Sequence, residues 1–574
     1  MSLELSCLDK VWILKDSDIE AVRLLSEKLD ISPVTATVLV NRGVKNVSEA
    51  EAFLNPSLSS ISAPDLLPHA AMAAEIVGEA VVNKKRIVIY GDYDVDGITG
   101  TALLFSFLKN IAGDVAFYIP NRLKEGYGLN QDAIKHLKSQ SAELIVTVDC
   151  GISNLNEVAL AAQLGIQVII TDHHEPPPEL PSASAIVNPK LKNSRFPFRE
   201  LSGVGVAFYL AVAVRKYLRE RGYIREGFPK MKDYLDLVAI GTICDVVPLL
   251  GENRIFSRIG LELLSNSRRP GIIALKKVSN INNEVTCSDV AFRMGPRINA
   301  GGRVSSPETG FKLLLEDDMA KAEELAEALN SENLKRQSLE EKMLANVQNI
   351  IDSGDILKEK KSIVLSSEEW HPGIMGIVAS RLVDRYFRPV ALISVQDGIG
   401  RGSARSIPAF NINEALEECR GFLEGFGGHR YAAGFRIKKE MIAPFSEAFE
   451  KTVLSRLSET DFFQKQYVDR EITMKDIDEK LLKELQQLKP FGMGNREPTF
   501  LMRSLNILSL RTAGNKHLML KLSDGRTDMD AVGFRMGDLN LSMKNHIHAL
   551  FYPEIHEWNG NRILRMRLED IKAV

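Results

Sequence analysis

The residues best suited to chemistry stand at the ends of short apolar runs. Gly91-Asp92-Tyr93-Asp94-Val95-Asp96-Gly97 sets three carboxylates at alternate positions directly after RIVIY. Asp149 follows LIVTV in VDCGIS, and Asp172, His173 and His174 follow QVIIT. Bare carboxylates a few ångströms apart raise one another's pKa, and divalent cations are the usual remedy. Carboxylates with one or two imidazoles and no thiolate suit Mn2+ or Mg2+ better than structural zinc. Their number exceeds what one ion needs, and two ions about 3.5 to 4 Å apart form the arrangement that activates a water and clamps the leaving oxygen in phosphoryl hydrolysis. Each motif alone has a blander reading, since an Asp after a strand often caps a helix and His-His is often a polar turn. Joint placement on one rim favours the metal.

Such a rim requires a sheet. RIVIY, VAFYIP, LIVTVD and QVIITD alternate with helical stretches from Ile98, from about Leu129 and from about Leu155. Strand, helix, strand at this spacing predicts a parallel sheet covered on both faces, with ligands beyond the carboxyl ends of the strands. Residues from about 201 to 310 read as mainly helical, closing in a loop rich in Gly and Arg, FRMGPRINAGGR. There Arg293, Arg297 and Arg303 cluster with no acid among them, beside a Gly-rich turn that would let backbone approach phosphate. Plain surface charge is the competing reading. Glu316 to about Asp352 contains no Pro or Gly and predicts one long helix. SIVLSS, a helix after His371 and VALISV form a second strand-helix-strand unit. From about residue 470 short alternating runs predict a small β-barrel, and Leu501–Val574 carries eleven Lys and Arg against eight Asp and Glu.

The whole chain bounds these readings. Its 574 residues need about three to five domains. A net charge of -3 excludes a surface that is basic throughout, but not a basic groove for nucleic acid. Five cysteines, odd in number and never in a CxxC pair, argue against disulfides and thiolate zinc. With no basic segment followed by an apolar stretch at the N-terminus, they point to a cytoplasmic address and no membrane role.

GDYDVDG, VDCGIS and TDHH resemble the first three motifs of the DHH phosphoesterases, and LDLVAIGTICDVVPL, containing Asp245, resembles the fourth. Further along, IPNRLKEGYGL, LSGVGVAF, GPRINAGGR, HPGIMGIVASRL, GSARSI and GGHRYAAGF are similar, in order, to the RecJ family of single-strand-specific exonucleases. The resemblance implies an α/β fold: a parallel-sheet DHH domain joined by a long helix to a smaller α/β DHH-associated domain, then a C-terminal β-barrel of the oligonucleotide-binding fold. The expected bounds are an N-terminal segment 1–60, the DHH domain 61–310, the connecting helix 311–355, the DHH-associated domain 356–455 and the barrel 456–574.

By motif position, Asp96, Asp149, His173 and Asp245 would hold one divalent ion, Mn2+ or Mg2+. Asp94 and Asp149, with Asp92, would hold a second. His174 would lie either behind the metal ligands or near the scissile phosphate, with Asp172 orienting the His pair. Arg297, Asn299 and Arg303 would contact the strand, Arg122, Ser403 and Arg405 would cradle a 5′ phosphate, and His429 would touch substrate. Tyr127 would stack on a base, with core packing as the rival reading. Related pyrophosphatases carry a His where this chain has Tyr90, so the first metal site is expected to be weaker or to need substrate. The activity implied is 5′-to-3′ digestion of single-stranded DNA in recombination and repair, by a monomer with a single-strand binding protein and a RecQ-type helicase as partners. A DHH phosphodiesterase for short oligonucleotides or cyclic dinucleotides is the alternative. A non-catalytic relative is disfavoured, because Asp94, Asp96, Asp149, His173 and Asp245 are all present.

Overall fold

The structure, a computed structural model, describes residues 4–112, 114–122, 125–223, 227–304, 306–514, 516–543, 545–558 and 561–574. Arg303 lies on a described helix, but its side chain is outside the described residues. The chain divides into two units: residues 48–335 with 487–496, and residues 1–47 with 336–486 and 497–574.

The first unit is built on five parallel strands in the order Val115–Tyr118, Ile87–Gly91, Leu144–Val148, Gln167–Thr171 and Ala185–Val187. Both faces are buried, as β-branched runs without polar alternation require. Ile87, Ile89, Val146 and Ile169 face a core with helices Ala70–Val82, Val95–Ala112, Gly203–Glu220 and Leu235–Cys244. Val88, Ile145, Val168 and Ile170 face helices Gln131–Ser139 and Leu155–Gln163. Burying each such aliphatic side chain stabilises the unit by about 1.5–3 kcal/mol. The register then decides the chemistry. Gly91 pairs with Val148 and Val148 with Thr171, so the next residues, Asp92, Asp149 and Asp172, leave the sheet side by side.

One expectation is corrected here. FRMGPRINAGGR is helical, a π-helical turn over Val290–Met294 running into helix Gly295–Val304. Its glycines serve close packing. A Cβ on Gly295 would lie 2.4 Å from Cys244 Sγ, and one on Gly302 would lie 3.0 Å from the carbonyl of Tyr93. Tertiary contact thus overrides the low helix propensity of Gly. The motif itself holds no acid, but Arg293 pairs at 3.2 Å with Asp289, one helical turn ahead of it.

The long helix spans Met319–Ser353, and the division between units falls within it. In the second unit a mixed sheet runs in the order Gly425–Gly428, Ala432–Lys438, Ile399–Arg405, Val390–Gln396 and Ile363–Ser367. A second sheet closes into a five-stranded barrel, from Phe500–Ala513 through His517–Ser523, Asp528–Gly533, Asn561–Ala573 and His546–Trp558 back to the first. Strand Lys10–Leu14 pairs in parallel with Gln464–Val468, and nearly buried Asp469 receives Lys15 at 3.0 Å and Arg42 at 3.2 Å. Such contacts accompany the grouping of residues 1–47 with this unit. No helix among the described residues is long and apolar enough to cross a membrane.

Candidate active site

The rim of the parallel sheet gathers the acids from three strand ends and two helices. Asp94 caps helix Val95–Ala112, accepting from the backbone N–H groups of Asp96 (2.9 Å) and Gly97 (3.1 Å). Asp96 sits in the first turn and accepts from the N–H groups of Gly203 (2.6 Å) and Val204 (2.9 Å), at the start of helix Gly203–Glu220. Asp149 has a left-handed backbone, φ 62°, unusual outside Gly and typical of functional turns. Asp245 is the C-cap of helix Leu235–Cys244.

Three sets of side chains converge closely enough to hold a cation: Asp149 with His173 and His174; Asp96 with His173 and Asp245; and Asp92 with Asp94 and Asp149. His173 Nε2 lies 3.1 Å from Asp149 Oδ1, 3.5 Å from Asp245 Oδ2 and 3.9 Å from Asp96 Oδ2. Among the described residues, Asp92 Oδ1, Asp149 Oδ1, His173 Nε2 and Asp245 Oδ2 are buried without a hydrogen-bond partner. An orphaned buried acceptor costs about 1–3 kcal/mol, more for a charged group. Four of them facing one space make sense when a divalent cation sits among them, so the donor set fits Mn2+ or Mg2+.

The electrostatics agree. Burial, and then the charge of Asp94, push Asp92 well above the usual carboxylate range and Asp96 up to about 7. Asp149 and Asp245 are raised by burial first and by their acidic neighbours second. Burial and the adjacent His174 push the His173 imidazole down to about 3, the neutral form a metal ligand requires. For Asp172, burial is outweighed by His174, and its carboxyl is held low. For His174, burial is likewise outweighed by the bond to Asp172, and its imidazole is raised. Asp172 Oδ1 accepts from His174 Nδ1 at 2.7 Å and from the N–H groups of His173 and His174, while Oδ2 accepts from the N–H of Ile152.

The loop after strand Val115–Tyr118 brings Arg122 over the Tyr93 ring, 5.1 Å from its centroid. Tyr127 is half exposed, yet its hydroxyl donates to the Asp149 carbonyl and lies 3.1 Å from His174 Nδ1. Its hydroxyl is thus fixed at the rim, while about half of its surface stays open. Tyr90 points away from the carboxylates: its hydroxyl donates to the Gly128 carbonyl at 3.1 Å and accepts from Asn130 Nδ2 at 3.4 Å, and its ring stacks on Tyr118. It anchors the loop. Tyr90→Phe is accordingly expected to raise KM for a single strand about fivefold, the worth of one hydrogen bond of about 1 kcal/mol. Its Mn2+ affinity, followed by calorimetric titration, should match the parent.

Arg297 lies on helix Gly295–Val304, its guanidinium donating to Asn330 Oδ1 (3.1 Å) and the Arg293 carbonyl (2.7 Å), with half-buried Asn299 two residues on. In the other unit, Ser403 and Arg405 share one face of strand Ile399–Arg405, with Arg405 Nη1 3.3 Å from Ser403 Oγ. A Cβ on Gly376 would meet Arg405 Nη2 at 2.6 Å, so a larger residue at the start of helix Met375–Tyr386 would displace the Arg405 guanidinium. His429 is exposed in the turn between strands Gly425–Gly428 and Ala432–Lys438.

Two glycines that do the site's spacing escape a reading of side-chain chemistry. A Cβ on Gly203 would meet the Asp149 side chain at 2.6 Å, and one on Gly241 would lie 2.8 Å from Asp96 Oδ1. The Gly-x-Gly of LSGVGV, ahead of an apolar helix, is the signal that marks the first.

Residues 86–242 match the N-terminal domain of the DHH family, 359–455 the DHHA1 domain and 468–570 the RecJ OB domain. The single-stranded-DNA-specific exonuclease RecJ of Bacillus subtilis is 37% identical over 566 residues, covering 97% of this chain and 70% of that protein. The crystal structure of Thermus thermophilus RecJ with Mn2+ superposes with a TM-score of 0.84 at 31% identity, over 100% of this chain and 80% of that one. The same protein with Mg2+ gives 0.78 at 30% identity, over 98% and 78%. Relatives crystallised with these two ions accord with a rim whose orphaned acceptors ask for a divalent cation. With its domains in the matching order and likeness over nearly its whole length, this chain belongs to the RecJ family.

Proposed function

We infer that this chain is a metal-dependent exonuclease that removes nucleotides from the 5′ end of single-stranded DNA as 5′ mononucleotides. The observation that carries the reading is the convergence of three ligand sets, with Asp149 and His173 each shared by two, on four partnerless buried atoms. Two divalent ions bound there would activate a water and stabilise the departing 3′ oxygen. We assign Asp96, Asp149, His173 and Asp245 to one and Asp94, Asp149 and Asp92 to the other. The chain's own residues do the rest. Two backbone N–H groups fix the Asp96 carboxylate, and Asp172 holds the proton on His174 Nδ1 so that the ring faces the scissile phosphate in one orientation. Arg297, Asn299 and Arg303 would hold strand phosphates, for which guanidinium geometry is suited. Ser403 and Arg405 would hold a 5′ phosphate, for which Arg122 is a further candidate, and His429 would touch substrate; that choice of end sets the polarity.

A 5′-phosphorylated, 3′-labelled single strand with Mn2+ or Mg2+ tests this. Blocking the 5′ end should slow digestion and blocking the 3′ end should not. A dinucleotide cleaved as fast as a long strand points instead to a short-oligonucleotide phosphodiesterase. Arg405→Ala should lower the preference for a 5′ phosphate about tenfold, the worth of one charge-assisted hydrogen bond. Its Mn2+ binding should stay at the parental level, and an unchanged preference removes Arg405 from the pocket. The reading extends to recombination and repair in the cytoplasm, by a monomer working with a single-strand binding protein and a RecQ-type helicase.

A further inference from the structure

Residues 487–496, QLKPFGMGNR, are flanked in sequence by the second unit but pack as part of the first. Their anchor is Arg254, only 2% exposed. Its guanidinium donates to the carbonyls of Gln487 (2.9 Å), Leu488 (3.0 Å) and Lys489 (2.9 Å), and to that of Phe53 (2.8 Å), while lying over the Phe53 ring. Fully buried Asn495 folds the segment on itself, donating to the carbonyls of Leu488 (2.8 Å) and Pro490 (2.9 Å).

What the segment grips is the turn that follows Asp245. The Leu249 N–H donates to the Met493 carbonyl at 2.8 Å. Gly492 lies so close to Leu249 that a Cβ would meet its Cδ1 at 2.6 Å, and a Cβ on Gly494 would lie 3.1 Å from Pro248. From the other side Asn253 Nδ2 donates to the Pro248 carbonyl at 3.0 Å. The turn needs such support, because Val246 has φ 62°, a left-handed backbone that a β-branched residue adopts only when its surroundings impose it. Val246 itself is 66% exposed, so its own side chain contributes little of that support. Asp245 Oδ2 has no hydrogen-bond partner to orient it, so its backbone aims the carboxylate, held on one side by the Asp245 N–H bond to the Gly241 carbonyl at 2.9 Å and on the other by this turn.

We propose that residues 487–496 are a positioning element for the cation site containing Asp245, working through the contacts of Met493, Gly492 and Gly494 with Pro248 and Leu249. This rests on the reading of Asp245 as a metal ligand. The segment touches none of the ligands itself. Loosening it lets the turn relax toward ordinary backbone and swings Asp245 away from Asp96 and His173, while Asp92, Asp94 and Asp149 stay in place on their strand ends.

The test is Mn2+ titration of the full chain, followed by calorimetry and by electron paramagnetic resonance, on the parent, Asp245→Asn and Asn495→Ala. Asn495→Ala is expected to reproduce Asp245→Asn: one Mn2+ bound with near-parental affinity, the other weakened at least about tenfold, and the spin coupling of the ion pair lost. Unlike Asp245→Asn, it should regain nearly parental kcat at saturating Mn2+, because its ligands are all present. Leu137→Ala, in the core on the opposite face of the sheet, serves as the control for general destabilisation and should leave both affinities alone. Parental Mn2+ binding by folded Asn495→Ala, with binding weakened in Asp245→Asn, overturns the proposal. Parental binding by Asp245→Asn overturns the metal reading instead. If Asn495→Ala does not fold, Gly492→Ala decides, since its methyl would stand 2.6 Å from Cδ1 and 3.2 Å from Cγ of buried Leu249 and push the segment off the turn. It should weaken the same ion, and parental binding there equally overturns the proposal.

Discussion

Asp149→Asn is expected to slow digestion of single-stranded DNA by about a thousandfold, while the metal-free protein unfolds at a higher temperature than its parent. Asp149 belongs to two of the three ligand sets, and its Oδ1 faces His173 Nε2 across 3.1 Å. An amide of the same size keeps the shape of the rim but loses the charge that would bridge two cations. A thousandfold is about 4 kcal/mol of transition-state stabilisation, a reasonable loss when a preorganised electrostatic group is removed. The stability effect has the opposite sign for the same reason. Asp149 is buried, and Asp96, Asp94, Asp245 and Asp92 all raise its pKa, so without metal its charge is a liability to the fold. Strained or repelling groups kept for function commonly stabilise a protein when neutralised. The measurements are single-turnover digestion of a labelled strand and thermal unfolding in chelator. Parental activity in the variant removes Asp149 from the centre, and a lower unfolding temperature means its carboxylate is not repelled in the metal-free fold.

The acids of the site were legible because their placement follows from local pattern. Four β-branched runs separated by helices can pair only as a parallel sheet, and a parallel sheet delivers the residues after its strands to one edge. Asp92, Asp149 and Asp172 follow from that alone. The illegible parts depend on contacts between distant segments. Nothing near Asp96 announces that its carboxylate is held by the N–H groups of Gly203 and Val204, more than a hundred residues away. FRMGPRINAGGR reads as a loop because Gly costs about 1 kcal/mol relative to Ala in a helix. Close approach to Cys244 and Tyr93 demands small residues there and outweighs that cost. Tyr90 stands where related pyrophosphatases carry a His, and only the folded chain shows that its hydroxyl reaches the Gly128 carbonyl and steadies the loop bearing Arg122 and Tyr127.

The metal-free protein is expected to lose stability as pH rises from about 5.5 to about 7.5, and divalent metal is expected to reverse that slope. Asp92, Asp96, Asp149 and Asp245 all have folded pKa values above 3.8, Asp96 at about 7. The unfolded chain releases these protons near pH 4, while the folded chain keeps them. Through the window from there to the raised values the native state binds more protons, so stability is highest at the acidic end and falls as pH climbs. His174, raised by Asp172 despite its burial, acts in the same direction, its contribution being lost as pH passes upward through its folded value. His173, pushed down to about 3, acts oppositely, since the unfolded imidazole gains a proton below about pH 6.5 that the folded one refuses. One imidazole is outnumbered by four carboxyls and a second imidazole. The lowered pKa of Asp172 matters only below pH 3.8, outside the window. Mn2+ or Mg2+ binds the deprotonated ligands, so its stabilisation grows with pH, reaching about 4 kcal/mol at a thousand times Kd. Thermal unfolding at the two pH values, in chelator and in excess Mn2+, measures both effects. Asp149→Asn, lacking one of the four carboxyls, should show a shallower slope in chelator and a smaller shift with Mn2+. Equal slopes in parent and variant would place the pH dependence elsewhere in the chain, and an equal Mn2+ shift at both pH values would mean that no protons leave the rim when the ion enters.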